Sequence, residues 1–235
     1  MPRKPDSVMI FAAGFGTRMG ALTRSRPKPL IEVLGRPLID HALQIANGAG
    51  IDNIVVNTHY RHEMLARHLA GRNIRISHEP RQILETGGGL RHALPLLGKG
   101  PVFSLNSDAL WDGPNPLEAL RASWDPRRMD ALLMLVPKAR ALGHKGKGDF
   151  LSDDEGRLTR GPGHVFTGAQ IMKTDLLADI PHESFSLNLA WDRMLARGRL
   201  FGLEYQGRWC DVGHPEALRR AEHEFAHVAG GASDG

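Results

Sequence analysis

Along the first hundred residues, apolar positions fall into two alternating patterns. Residues 7–12 (SVMIFA) form a continuous apolar run that ends in a glycine-rich loop, which predicts a strand buried on both faces. Pro37 then opens a stretch with Leu38, Ile39, Ala42, Leu43, Ile45 and Ala46 at helical spacing, closed by Gly48 and Gly50. Proline near the first turn and glycine past the end mark this stretch as a helix. Residues 53–58 (NIVVNT) predict the next strand and 61–70 the next helix, stopped by Gly71. Ile74 and Ile76 alternate with polar neighbours over 73–77, as a strand would. A helix over 89–97 and a strand over 101–105 follow.

Strand–helix alternation of this kind predicts a mainly parallel sheet with helices on both faces. Right-handed crossovers gather the loops that follow the strands at one edge, where ligands bind. The second half is less regular. Residues 130–136 (DALLMLV), 165–172 (VFTGAQIM) and 200–205 (LFGLEY) predict strands, and 187–196 and 215–228 predict helices. Leu187, Leu189, Trp191, Met194 and Leu195 are expected in the core. No repeat or linker interrupts the chain. One α/β domain is expected over residues 1–229, with 230–235 (GGASDG) as a disordered tail.

Composition narrows the class. Hydrophobic residues at 41% and charged residues at 24% match an ordinary soluble globular protein. No apolar run approaches the ~18 residues of a membrane span, and the opening MPRKPD leads into a strand rather than a secretory leader. The lone Cys210 leaves no internal disulfide and suits a reducing cytoplasm. The histidines lack structural-zinc spacing. A formal charge of +4, with no basic stripe interleaved with aromatics, gives no ground for a nucleic-acid partner. The small positive bias suits substrates carrying several phosphates, and equally an ordinary mixed surface.

The chemically suggestive residues sit at predicted strand ends. Ala12-Ala13-Gly14-Phe15-Gly16-Thr17-Arg18-Met19 follows the first strand. Glycines let a backbone approach phosphate closely, successive N–H groups can cradle an anion, and Arg18 adds a planar cation. A dinucleotide-binding loop would need a third glycine where Met19 stands, and an acidic residue about 20 positions further on. In its place comes Arg26-Pro27-Lys28-Pro29-Leu30, a lysine stiffened by two prolines. Glu85-Thr86-Gly87-Gly88-Gly89 is either a flexible turn or a bare surface against which a base or sugar lies. Asp108, after Asn106 and Ser107, is either a surface-turn carboxylate or a magnesium ligand. Asp211, in Trp209-Cys210-Asp211-Val212-Gly213, is a candidate second ligand. The basic stretch 138–147 (KARALGHKGK), ending at Gly148-Asp149-Phe150, is either a solvated loop or a mobile flap over an anionic sugar.

AAGFGTRM followed by LT and PKPL resembles the signature of the sugar-1-phosphate nucleotidyltransferases. Phe15 stands where a lysine is frequent, Ala21 replaces a proline, and Ser107 replaces a glycine. The resemblance implies a Rossmann-like, three-layer α/β/α fold (GT-A-like) with a mixed, mainly parallel central sheet. It also implies that Ala12, Ala13, Gly14, Gly16 and Thr17 hold an NTP. Arg18 would face the departing pyrophosphate and Lys28 the α-phosphate. Glu79, Thr86, Gly87 and Gly88 would hold the base and sugar. Asn106, Asp149, Thr167 and Gly168 would contact the second substrate, and Asp108 with Asp211 would bind Mg2+.

ETGGG, HKGKGDF and WCDVG together look most like the bacterial N-acetylmuramate-1-phosphate uridylyltransferases of peptidoglycan and cell-wall recycling. On that resemblance Lys145 or Lys147 would meet the sugar's lactyl carboxylate. Two alternatives remain: a mannose- or heptose-1-phosphate guanylyltransferase, and a non-catalytic nucleotide-binding regulator. The expected partners are an NTP and a sugar 1-phosphate, with no membrane, in a cytoplasmic monomer or homodimer.

Overall fold

The computed structural model describes residues 5–226. In chain order the strands are β1 (Ser7–Phe11), β2 (Glu32–Val33), β3 (Arg36–Pro37), β4 (Asn53–Thr58), β5 (Ile74–His78), β6 (Val102–Asn106) and β7 (Ala109–Asp112). They continue with β8 (Ala131–Pro137), β9 (Ala141–Leu142), β10 (Phe150–Ser152), β11 (Leu158–Arg160), β12 (His164–Met172), β13 (Leu200–Glu204) and β14 (Arg208–Asp211). The helices are α1 (Leu38–Gly48), α2 (His62–Leu69), α3 (Glu85–Leu97), α4 (Pro116–Ser123), α5 (Asn188–Ala196) and α6 (Pro215–Glu224).

The central sheet is mixed. Its first half is parallel, in the order β6-β1-β4-β5, and β12 joins antiparallel to β6, leading on to β8, β10 and their neighbours. The period of two along each strand sorts the core into two faces. Val8, Ile10, Ile54 and Val56 pack with Leu43, Leu65 and Leu69 on one side. Met9 and Val55 pack with Leu90, Ala93, Leu97, Trp191 and Met194 on the other. Helices therefore cover both faces, giving three layers. A third cluster, including Met19, Val33, Leu110, Cys210, Val212 and Phe225, seals a small sheet of order β7-β14-β9 against α6.

The regular first half follows the sequence pattern closely, and three particulars differ. α3 begins at Glu85, so the three glycines lie inside it. Its start is set by the tertiary fold, because Gly87 N and Gly88 N both donate to the Phe185 carbonyl (2.8 and 3.0 Å). Leu189, expected in the core, is 41% exposed on the first turn of α5, while Leu187, Trp191 and Met194 are buried. The short strands β2, β3, β7, β9, β10, β11 and β14 and helix α4 carry no strong periodic signal; β7 and β9 find β14 across stretches remote in sequence, whereas β2–β3 and β10–β11 are local hairpins. The expected tail at 230–235, and the last residues of the helix expected over 215–228, lie outside the described residues. Among the described residues no helix is long and apolar enough to cross a membrane.

Candidate active site

The carboxyl edge of β1, β4 and β6 opens into a cavity of ≈ 300 Å³. It is lined by Ala12, Ala13, Gly14, Gly16, Thr17 and Arg18 from the loop after β1, and by Lys28 and Pro29. Asn57, Ile83, Glu85 and Thr86 form another wall, with Asn106, Ser107, Asp108 and Gly213 opposite. The fold thus assembles the glycine loop, the lysine turn and both aspartate segments at one place.

Local chemistry fixes each wall. Gly16 has φ +65°, and a Cβ there would stand 2.8 Å from Lys28 Cβ and 2.9 Å from Thr23 Cγ2. The left-handed turn and the close approach together require glycine, and they lay the loop on the stem of Lys28. Lys28 follows Pro27 and precedes Pro29, and only 9% of it is exposed. Its Nζ donates to Asp108 Oδ2 at 2.5 Å.

Asp108 ends the β6 turn, and Asp211 ends β14. Antiparallel pairing sets Asp211 opposite Ala109, and Val212 N donates to the Asp108 carbonyl at 2.8 Å. Burial, and then the charge of Asp108, push the Asp211 carboxyl above its ordinary value, against the pull of Lys28, Arg18 and His144. A Cβ on Gly213 would lie 3.0 Å from Arg18 Nη1 and 3.0 Å from Asp211 Oδ1. Arg18 and the Asp211 carboxylate therefore flank a residue with no side chain, close enough for the guanidinium's charge to act on the carboxylate.

Two like-charged carboxylates held together in a partly buried corner call for a cation, and in this structure the Lys28 ammonium supplies part of it. Among the described residues no group of three or more His, Cys, Asp or Glu could hold a metal. Two carboxylates with open neighbouring space do fit magnesium, which keeps waters and substrate phosphates as its remaining ligands.

Several residues singled out in the sequence have other work. Glu79 was expected at the base edge, yet it is buried. Its Oε1 accepts from Asn57 Nδ2 (2.7 Å) and its Oε2 from Leu84 N (2.8 Å). With both oxygens committed, it braces the 80–84 loop from inside. Gly87 and Gly88 do not present a bare face to the cavity. Cβ atoms there would strike the Phe185 ring at 2.3 Å and the Glu183 carbonyl at 2.4 Å. Thr86 does line the cavity, and its hydroxyl accepts from Leu187 N (2.9 Å).

Thr167 is buried and donates to the Met134 carbonyl (2.7 Å), so it is not placed at the cavity. Gly168, with φ +89°, backs the Asn106 side chain, which a Cβ would meet at 2.6 Å. Asp149 accepts from Phe166 N (2.8 Å) and pins its loop to β12. Lys145 pairs with Glu216 of α6 at 2.9 Å on the exposed surface, and Lys147 is exposed on the same loop.

Sequence reasoning passed over three contributors. Asn57 donates to Glu79 and accepts from Ala12 N at 2.7 Å, tying β4 to the glycine loop. Glu85, a cavity residue, has φ +58° at the start of α3. Its position just before the glycines was the available signal. His144 lies near enough to act on Asp211, and its Nε2 is buried without a hydrogen-bond partner among the described residues.

The model of the MobA-like NTP transferase domain matches residues 8–215. An N-acetylmuramate alpha-1-phosphate uridylyltransferase of Caulobacter vibrioides is 42% identical over 97% of this chain and 100% of its own length. One from Neisseria meningitidis serogroup B is 36% identical over 91% and 96%. The crystal structure of HddC from Yersinia pseudotuberculosis shares the fold, with TM-score 0.74 at 21% identity over 93% of this chain and 99% of that one.

Proposed function

The chain belongs to the MobA-like NTP transferase family, and from that premise we propose that it is an N-acetylmuramate 1-phosphate uridylyltransferase. It would join UMP from UTP to the sugar 1-phosphate and release pyrophosphate, in the cytoplasm where NTPs are available. One observation carries the proposal: Lys28 and Asp108 pair in the lining of a cavity whose other wall is the glycine loop, and Asp211 stands close enough to both to feel their charge.

The attacking group is an oxygen of the sugar 1-phosphate, already ionised at neutral pH, so the site needs no general base. What the step needs is alignment of that oxygen with the α-phosphorus, and neutral surroundings as pyrophosphate departs in line. Lys28, on a backbone stiffened by prolines, turns its ammonium from Asp108 to the α-phosphate. Arg18 holds the β- and γ-phosphates at the loop. Asp108 and Asp211 would hold magnesium, which supplies charge neutralisation on the two substrates' phosphates when bound. Asn106, packed against the bare backbone of Gly168, would meet the sugar phosphate. The basic loop around Lys145 and Lys147 is the candidate partner for the lactyl carboxylate, Lys145 exchanging Glu216 for the substrate anion.

A phosphate-release screen, coupled through pyrophosphatase, tests this with four NTPs against muramyl, glucosaminyl, glucosyl, mannosyl and heptosyl 1-phosphates. UTP with the N-acetylmuramyl substrate should give the highest kcat/KM. Preference for GTP with a mannose or heptose phosphate would overturn the assigned specificity. Tight NTP binding without any release would mark a regulator instead of an enzyme.

A further inference from the structure

The turn after β4 does more than lead into α2. Arg61 at its end has φ +50°, a left-handed conformation that a non-glycine residue keeps only when its surroundings impose it. Its guanidinium donates to the Tyr60 hydroxyl (3.0 Å) and to the Arg24 carbonyl. Tyr60 in turn donates its hydroxyl to the Thr23 carbonyl (2.9 Å). Phe15, 50% exposed at the tip of the glycine loop, meets His59 edge-on at 5.5 Å and Tyr60 at a tilt, 5.7 Å between ring centroids. His59 is fixed by its Nδ1 donating to the Glu79 carbonyl (2.6 Å).

The grip extends into the site. The Thr23 hydroxyl donates to the Gly16 and Gly20 carbonyls (3.1 and 3.2 Å), and Gly16 rests on the stem of Lys28. Residues 59–61 thus hold two separate pieces of the site at once: the tip of the glycine loop through Phe15, and the segment leading to Lys28 through Thr23 and Arg24. None of Phe15, Tyr60 and Arg61 lines the cavity itself.

We propose that Tyr60, with Phe15 and Arg61, is a positioning latch that sets the spacing between the phosphate-facing glycine loop and Lys28. An aromatic ring at a loop tip, half in water, is retained because two aromatic neighbours hold it there. The latch restricts the loop before nucleotide arrives, so less ordering is left to be done on binding. The kinetic part of the claim rests on the nucleotidyl transfer proposed above; the binding part does not.

Three variants separate the contributions. Tyr60→Phe keeps the ring and removes the hydroxyl, Phe15→Ala removes the ring at the loop tip, and Phe15→Trp restores one. Tyr60→Phe should lower kcat by about 5–10-fold, the loss expected for one positioning hydrogen bond, with the KM for NTP within about twofold. Phe15→Ala should raise the Kd for NTP, measured by calorimetry, by about fivefold, and Phe15→Trp should return most of it. The melting temperatures should stay within about 3 °C of the parent. Wild-type kcat and KM in Tyr60→Phe would overturn the proposal. So would variants whose only change is a lower melting temperature. If the parent protein releases no pyrophosphate with any sugar phosphate, the functional assignment fails, while the Kd of Phe15→Ala still decides the latch.

Discussion

Replacing Lys28 by Met would test the electrostatics of the site directly. Methionine keeps an unbranched stem to lie against Gly16 but removes the ammonium that Asp108 Oδ2 accepts from at 2.5 Å. Asp108 is then left with a charge and no donor, beside Asp211. Leaving a buried charge unpaired costs about 3–5 kcal/mol when both partners are dry. Here 26% of the Asp108 side chain is exposed, so water recovers part of that, and about 2 kcal/mol is expected. For a chain of this size the melting temperature should fall by about 4–8 °C in EDTA.

Magnesium should reverse the loss. In the parent protein a cation entering between Asp108 and Asp211 meets the repulsion of Lys28, whereas in the variant it replaces the missing charge. Thermal unfolding against magnesium concentration should therefore show a larger stabilisation of Lys28→Met than of the parent, growing as the logarithm of concentration above its Kd. Turnover should drop by about a hundredfold or more even with saturating magnesium, because the α-phosphate has lost its positioned cation. A variant with equal or smaller magnesium stabilisation would refute the two-carboxylate cation site. Near-normal pyrophosphate release would refute the role of Lys28.

Other substitutions separate bracing from chemistry. Glu79→Gln places an amide NH2 against one of two N–H donors, from Asn57 and Leu84, and should cost about 2 kcal/mol of stability in denaturant unfolding without changing which NTP is preferred. A Cβ in Gly213→Ala would crowd Arg18 and Asp211 at about 3.0 Å, so kcat should fall at least about tenfold while the melting temperature moves little. The raised carboxyl of Asp211 means that the folded state holds its proton more readily than the unfolded chain. Its contribution is thus favourable below the ordinary value of 3.8 and is lost as pH rises through the raised one. Asp211→Asn should accordingly melt higher than the parent at pH 7 in EDTA. The gap should close as pH falls toward 3.8, and a constant gap would contradict the assigned cause.

The glycine loop, the proline-flanked Lys28 and the order of the central-sheet strands and their helices through residue 106 were legible in the sequence, while the β2–β3 hairpin was not. Each depends on short-range chemistry: burial with a period of two or near four, fixed proline φ angles, and glycine at a left-handed turn. The two aspartates could be named as candidates, but not placed. Asp211 reaches Asp108 only because the short β14 pairs with β7 about one hundred residues earlier in the chain, and neither strand carries a strong pattern of its own.

The glycines of the ETGGG segment were visible, but the reason for them was not. Gly87 and Gly88 are crowded by Phe185 and Glu183, and Gly89 by Glu79 and Asn57, which no local rule connects to α3. The internal partners of Glu79 are hidden from the sequence for the same cause, since a carboxylate at a strand end looks alike whether it meets substrate or is satisfied by Asn57 and Leu84. Local pattern determined which groups this protein carries and on which elements. Tertiary contact decided which of them face the cavity, because a side chain's partners are set by packing between segments remote in sequence.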